Sequence, residues 1–269
     1  MTAIAYQDFL RDGTWAPGFG SSPLDIAPLD NLVTPQLGSP WAATHGFSNR
    51  VLVRQFASAS TPVDLVALLD IRHSHALSVR VAYGPDIELV PSTPILQYAS
   101  SEFVTNMFFL LPARVTTNAI AFRLSSTNGA TYSIGRAWAG PVYTPPSSIR
   151  RTWRTAVDDP GIVMRSRGNQ GYSRVRRRTR RLMMELGHVP FAQAFGLLDN
   201  SVMDIQQLAY RIGTTSPVII LPRTHQAGGS LDLQAIHRIG MYCHLTRPID
   251  IEHAGGDFYS ARLEASELL

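Results

Sequence analysis

Ala119-Ile-Ala-Phe-Arg-Leu124, the joining Ser125-Ser-Thr-Asn-Gly129, and Thr131-Tyr-Ser-Ile-Gly-Arg-Ala-Trp138 are the residues on which the fold turns. Both flanks alternate, the period of a strand with one buried face. Asn128-Gly129 supplies the positive φ angles that a tight turn requires, so the sequence predicts an antiparallel hairpin here. Further out, Val63-Asp-Leu-Val-Ala-Leu-Leu69 is a mostly apolar run of strand length, as expected in the middle of a sandwich. Ala76-Leu-Ser-Val-Arg-Val-Ala-Tyr83 sets Leu77, Val79, Val81 and Tyr83 on one face and Ala76, Ser78, Arg80 and Ala82 on the other. One side is then buried and the other partly wet. Pro, Gly, Ser and Asn separate these runs from about residue 20 to 145, and no stretch there holds a helical period for long. The expected fold is mainly β, beginning with an antiparallel β-sandwich.

Composition bounds the rest. At 269 residues the chain suits one large domain or two of ordinary size. Hydrophobic residues at 45% and charged residues at 16% describe a folded protein that is light on surface charge, which argues against disorder. All 24 basic residues are arginine, and eleven of them fall between Arg150 and Arg181, opposed only by Asp158 and Asp159. That segment carries +9 and the remainder −5, so the net +4 is a local feature. Cys243 is alone, which rules out an intrachain disulfide, and its apolar setting predicts a buried, inert thiol. Met1 to Asp12 lacks the basic-then-apolar pattern of a leader. Phe103–Ala113 is far shorter than the roughly 20 residues that span a bilayer. A protein made in a cytoplasm, with no membrane segment, is expected.

Pro141-Val-Tyr-Thr-Pro-Pro-Ser-Ser148 is an extended connector and the best candidate boundary. The expected organisation is an N-terminal arm (1–30), a sandwich (31–145) and a second β domain with one helix (146–269). Period leaves the stretch 172–186 open. A helix would align Val175, Thr179, Leu182, Met183 and Leu186, and a strand would line up Arg174, Arg176, Arg178 and Arg180. The predicted helix, about 202–212, has Ser201 as N-cap, Asp204 in its first turn and Gly213 as its stop. Strands follow at Pro217–Pro222, Ile236–Leu245, Ile249–His253 and Phe258–Leu263, with turns at Gly228-Gly229 and Gly255-Gly256. Strands, one helix, then strands read as α+β with an antiparallel sheet.

Catalytic chemistry finds little footing. The arginine block could neutralise phosphates, but no nucleic-acid motif or interleaved aromatics accompany it, so nucleic acid is not expected. Arginine also serves protein interfaces, where its planar fork pairs with carboxylates and stacks on rings, and that reading is preferred. His73 and His75, with Asp70 nearby, lack a third metal ligand at convincing spacing. Cys243 and His244 would point to opposite faces of a strand. Asp64, Asp70, Asp86 and Glu88 could act on sugars only if two of them met across a cleft, which nothing in their spacing requires. Gly-x-Ser-x-Gly, phosphate-binding glycine loops and His-Glu-x-x-His are absent from the sequence. No enzyme, cofactor or metal site is expected. Trp15, Phe19, Trp41 and Phe47, in Gly/Pro/Ser-rich stretches, are the candidate contacts to a partner subunit or a glycan.

Two resemblances sharpen this. Val63–Leu69, Leu77–Tyr83 and the ending Ile134-Gly-Arg-Ala-Trp-Ala-Gly140 resemble galactose-binding-like (discoidin-type) sandwiches of long-tailed bacteriophage tail proteins, over about residues 30–140. The glycine turn Arg165–Tyr172, the basic run, the single helix, Pro217–Pro222 and the ending Leu263-Glu-Ala-Ser-Glu-Leu-Leu269 look like the β-barrel-plus-helix domain of tail-tube and distal-tail proteins. The usual distal-tail order is reversed, since a sandwich precedes the barrel here. The resemblance implies a strand for the basic run and a structural role in a phage tail tip, as a distal or minor tail protein of the virion. It implies a homo-oligomeric ring that contacts tail-tube, hub, fibre or tape-measure-type proteins. Arg165, Arg167, Arg174, Arg176, Arg178 and Arg180 would meet acidic patches such as Glu264 and Glu267 between subunits. The alternative it offers is a carbohydrate-binding module that grips host-surface glycans during adsorption.

Overall fold

The computed structural model describes residues 1–16, 27–34, 36–44, 50–56, 60–74, 77–84, 96–99, 105–126, 130–159, 161–165, 171–174, 178–196 and 203–268. They are mainly antiparallel β-sheet and divide into two compact units. One unit joins Ala3–Tyr143 with Arg223–Gly240, and the other joins Met1–Thr2, Thr144–Pro222 and Met241–Leu269. The change of unit between residues 143 and 144 falls inside the proline-rich connector.

The first unit is a sandwich of strands β1 (Ala3–Ala5), β2 (Thr14–Ala16), β3 (Trp41–Thr44), β4 (Arg50–Gln55), β5 (Thr61–His73), β6 (Ser78–Tyr83), β7 (Leu96–Ala99), β8 (Met107–Thr117), β9 (Ala119–Ser125), β10 (Thr131–Gly140) and β11 (Val142–Tyr143). One sheet runs β3-β10-β5-β8, the other β2-β4-β9-β6-β7, and β1 pairs with β11. Val66, Leu68, Met107, Phe109, Ile134 and Ala137 from the first sheet and Val79, Val81, Ile120, Phe122 and Leu124 from the second share one buried core. This follows from the alternation of their strands.

The predicted 119–138 hairpin does not form. β9 pairs with β4 and β6, whereas β10 pairs with β3 and β5, so the two strands lie in opposite sheets. An Asn-Gly pair signals that the chain reverses, not which sheet receives it. The turn residues themselves, 127–129, lie outside the described residues.

The ending Ile134–Gly140 has a physical account at nearly every position. Ile134 and Ala137 fill the core. A Cβ on Gly135 would lie 3.0 Å from the Asp70 Cβ, and one on Gly140 would lie 1.8 Å from the Gln7 carbonyl oxygen. Arg136 is fully buried against Asp8, with its guanidinium 5.3 Å from the Trp138 ring. Within residues 1–16 the chain is thus tied to β10 through Asp8. Leu10, in a short 3₁₀ turn at Phe9–Asp12, joins the same core, as does Leu32.

The second unit contains β12 (Arg150–Asp158), β13 (Ile162–Arg165), β14 (Gly171–Arg174), β15 (Thr179–Pro190), the short helix α1 (Phe191–Ala194), the helix α2 (Ile205–Ile212), β16 (Val218–Leu221), β17 (Met241–Leu245), β18 (Asp250–Gly255) and β19 (Phe258–Glu267). Its sheet runs β16-β17-β19-β15-β12, with β18 beside β19, while β13 and β14 form a separate ribbon. Among the described residues no pairing closes it into a barrel, so the expected barrel is an open sheet. Leu182, Met184 and Leu186 of β15 and Ala261, Leu263 and Ala265 of β19 are buried at alternate positions. A bulge between Leu186 and Val189 interrupts their register, and His188 there has φ 56°.

The basic run is a strand from Thr179 onward, and Arg176 lies outside the described residues. α2 starts later than predicted. Asp204 is its N-cap, its carboxylate accepting from the Gln207 N–H at 2.7 Å, and Gly213 ends it at φ 55°. A strand was expected from Ile236. Instead Leu233–Ile239 is a third helix, α3, in the sandwich unit, capped by Asp232 accepting from the Ala235 N–H at 3.1 Å. Only Met241–Leu245 of that segment is strand. The apolar positions there suit either period, and the Asp232 cap and the Gly240 stop favour the helix.

Candidate assembly interface

β12 ends the sheet of the second unit. Among the described residues its nine residues bond to β15 alone, from Arg150↔Gly187 to Asp158↔Thr179. Thr152 to Asp158 are exposed on both faces of the strand, an unusual state for a sheet member. One face shows Trp153, Thr155 and Val157, with Trp153 40% and Val157 67% exposed. The register places Trp153 and Thr155 beside the buried Met184 and Leu182 of β15, and Val157 beside Arg180, so the core face of the sheet continues outward onto an uncovered edge. The opposite face shows Thr152 and Arg154 beside Met183, Glu185, Arg262 and Glu264, which line an open groove of about 300 Å³. Arg247 closes that groove through a 3.1 Å ion pair with Glu264.

The anticipated arginine contacts are partly spent inside the chain. Arg180 donates to Glu267 from Nε at 2.9 Å, and the Arg180 N–H reaches the same carboxylate at 3.0 Å. Arg178 pairs with Asp159 at 2.8 Å, and the Gly161 N–H, followed by Arg178, keeps that carboxyl below its usual range. Glu264 and Glu267 therefore meet arginines of their own chain. Arg165 and Arg174 close the β13–β14 ribbon at opposite ends, while Arg167 and Arg176 lie outside the described residues.

The sandwich candidates fare unevenly. Trp41 is 0% exposed and packs edge-on against Tyr132, so it offers no surface to a sugar or a partner. Its place in β3, at the margin of the four-stranded sheet, turns it inward. Trp15 is half-buried under the Arg54 guanidinium, 5.0 Å from the ring centroid. Phe19 and Phe47 lie outside the described residues. Asp64 is held by Arg114 at 2.8 Å and by the Val142 N–H, and Asp70 by Arg72 at 2.8 Å, so both carboxylates are engaged in structure. Cys243 is buried with its thiol pushed well up by desolvation, as suits an inert residue.

An exposed aromatic group beside the β15 bulge had no sequence signal. Phe191 meets Tyr259 at a tilt at 6.1 Å and Phe195 meets it edge-on at 5.0 Å, and His188 meets Phe258 edge-on at 5.9 Å. Phe191 and Phe258 remain about half exposed. Only the bulge and the α1 turn bring them together, and neither is written in a periodic pattern.

No family model and no curated protein matches this chain. Solved structures overlay half of it. The carbohydrate-binding module CBM32-1 from a family 31 glycoside hydrolase of Clostridium perfringens is 10% identical, with 51% of this chain and 99% of the module covered at a TM-score of 0.39. The family 32 module of C. perfringens NanJ in complex with galactose gives 11%, 51%, 98% and 0.39. SpGH29 gives 11% identity and a TM-score of 0.38, and the chain spans 28% of its length. Scores this low bring neither ligand nor activity across, and the sandwich assignment rests on the sheet topology itself. None of these three is a tail protein.

Proposed function

We propose that this chain is a non-catalytic assembly subunit, whose sheet unit binds another protein chain along an open strand edge. The carrying observation is β12: nine residues, paired on one side, and exposing Trp153 and Val157 where a partner would cover them. Strand addition to such an edge draws affinity from main-chain hydrogen bonds and from side-chain pockets on both faces. The bacteriophage tail tip, as a distal or minor tail protein, is the setting that the sequence resemblance supplies for this reading. The virion location and the tail-protein neighbours belong to the same proposal.

Sedimentation of the purified chain over a wide concentration range tests it. Wild-type protein is expected to self-associate or to bind its neighbour. The double substitution Trp153→Ser and Val157→Ser should weaken that association at least tenfold, about 1.4 kcal/mol. Both side chains are exposed, so the melting temperature should barely move. Undiminished association would overturn the reading.

The second reading is a carbohydrate-binding sandwich, the class of the modules that overlay half of the chain. A glycan array with the full chain separates the two. Reproducible binding lost in Trp15→Ala, with the Trp153/Val157 variant unaffected, would promote it.

A further inference from the structure

The sheet unit has a second open edge, and its charge is opposite. β18 bonds to β19 alone among the described residues and exposes Asp250, Glu252, His253 and Ala254. β12, at the far side of the sheet, carries Arg150, Arg151 and Arg154 against the single Asp158. We infer that β12 of one copy pairs with β18 of the next, continuing one sheet head to tail through successive copies of this chain. This rests on the assembly reading above and names its partner.

Direction favours the match. β12 is antiparallel to β15, β15 to β19 and β19 to β18, so β12 and β18 run oppositely within one sheet. A lateral repeat that keeps the faces aligned therefore sets β18 antiparallel to the incoming β12, the pairing used throughout this unit.

Register favours it as well. Asp250 lies level with Arg262, Glu185 and Thr152, and Ile251 with Ala261, Leu186 and Arg151. Carried across without stagger, Asp250 meets Thr152, flanked diagonally by Arg150 and Arg154, and Glu252 comes level with Arg150. Facing must be kept, so any slip is by two residues, and a slip in either sense sets Asp250 directly opposite Arg154 or Arg150. On the other face, half-buried Ile251 comes diagonal to the exposed Trp153. Without stagger, Glu252 thus faces Arg150 on one face, while on the other Ile251 faces Arg151 and lies diagonal to Trp153.

Two side chains keep their internal roles in this arrangement. Arg151 is half-buried and donates to the Pro145 carbonyl at 2.9 Å. Glu252 already faces Arg262 at 3.7 Å, a half-exposed pair that a second guanidinium can share. The two joined surfaces differ, so the contact is heterologous and closes into a ring or extends as a filament.

Cysteine cross-linking of the full chain tests the pairing. Thr152→Cys mixed with Asp250→Cys should give a disulfide-linked dimer under mild oxidation, and neither variant alone should give one. The double variant should give a ladder of covalent oligomers, with wild type as the control for Cys243. Arg150→Glu with Arg154→Glu should lower association at least thirtyfold, and adding Asp250→Arg and Glu252→Arg in the same chain should restore it. A dimer from Thr152→Cys alone would mean β12 against β12 and overturn the inference. Oligomers in which Asp250→Cys cross-links to none of Arg150→Cys, Thr152→Cys and Arg154→Cys would overturn it too, leaving the assembly reading in place. A chain that stays monomeric and uncross-linked at every concentration would overturn the inference and confine the assembly reading to a different partner chain.

Discussion

Replacing Arg136 with alanine should cost the sandwich about 3–5 kcal/mol of stability, the usual penalty for leaving one member of a buried ion pair alone. Arg136 is 0% and Asp8 3% exposed at the side chain, and they meet at 2.6 Å between Nη2 and Oδ2. Burial pushes the Asp8 carboxyl up, while Arg136 and the N–H groups of Leu10 and Ala139 pull the other way. Asp8 thus ties the first turn of the chain to β10, 128 residues on. Asp8→Asn should be milder, since an amide oxygen can still accept from the Leu10 N–H at 3.1 Å. A double replacement, Asp8→Leu with Arg136→Met, removes both charges but strands two backbone donors, at about 1–3 kcal/mol each if they stay buried. Urea denaturation of the three variants should rank Arg136→Ala as the least stable or level with the double. An Arg136→Ala change within 1 kcal/mol of wild type would show that the pair merely fills space.

That pair also marks where sequence reading succeeded and where it stopped. The fragment Ile134–Gly140 stood out as an ending, and the structure gives the reasons: two glycines against neighbouring atoms, a buried arginine and an indole beside it. What no periodicity could reveal was Asp8, because a charge partner so far away in sequence leaves no local trace. The strand at 63–69 was legible as an apolar run of strand length, and that at 76–83 because its apolar residues alternate with the pleat. Their assignment to sheets was not, since β5 and β6 follow one another in sequence yet lie in different sheets.

Interface candidates show the same division. The arginine cluster was visible as a charge imbalance, yet which arginines face outward depends on pairing across strands. Arg180 is consumed by Glu267, whereas Arg150 and Arg154 stand exposed on β12. Trp41 looked like a surface ring because its neighbours are Gly, Pro and Ser. Loop-like composition said nothing about the inward face of the short strand that begins there. The acidic residues of β18 drew no attention as single carboxylates. They gain meaning only once β18 is seen as the far edge of the sheet that β12 begins.

Acid should destabilise the sandwich through one histidine. His237, on α3, is buried with its ring stacked on Phe108 at 6.4 Å, and Nδ1 accepts from the Phe108 N–H at 3.2 Å. Burial lowers its pKa from 6.5 to about 4, with the Asn106 backbone opposing in part. A base whose folded pKa is depressed favours the fold only while neutral. Its contribution is complete above the unfolded value of 6.5 and is lost as pH falls toward about 4, because the unfolded chain takes the proton first. The full loss is roughly 3 kcal/mol, most of it already gone at about pH 4.5. His237→Gln keeps a neutral acceptor on the helix and cannot titrate. It should cost about 1 kcal/mol at neutral pH yet flatten the fall in stability between pH 6.5 and 4.5. Other groups titrate alike in both proteins, so the difference between the two urea-derived curves isolates this ring. Parallel curves across that range would mean His237 opens to solvent before it is protonated, and that its contact with β8 contributes nothing to acid sensitivity.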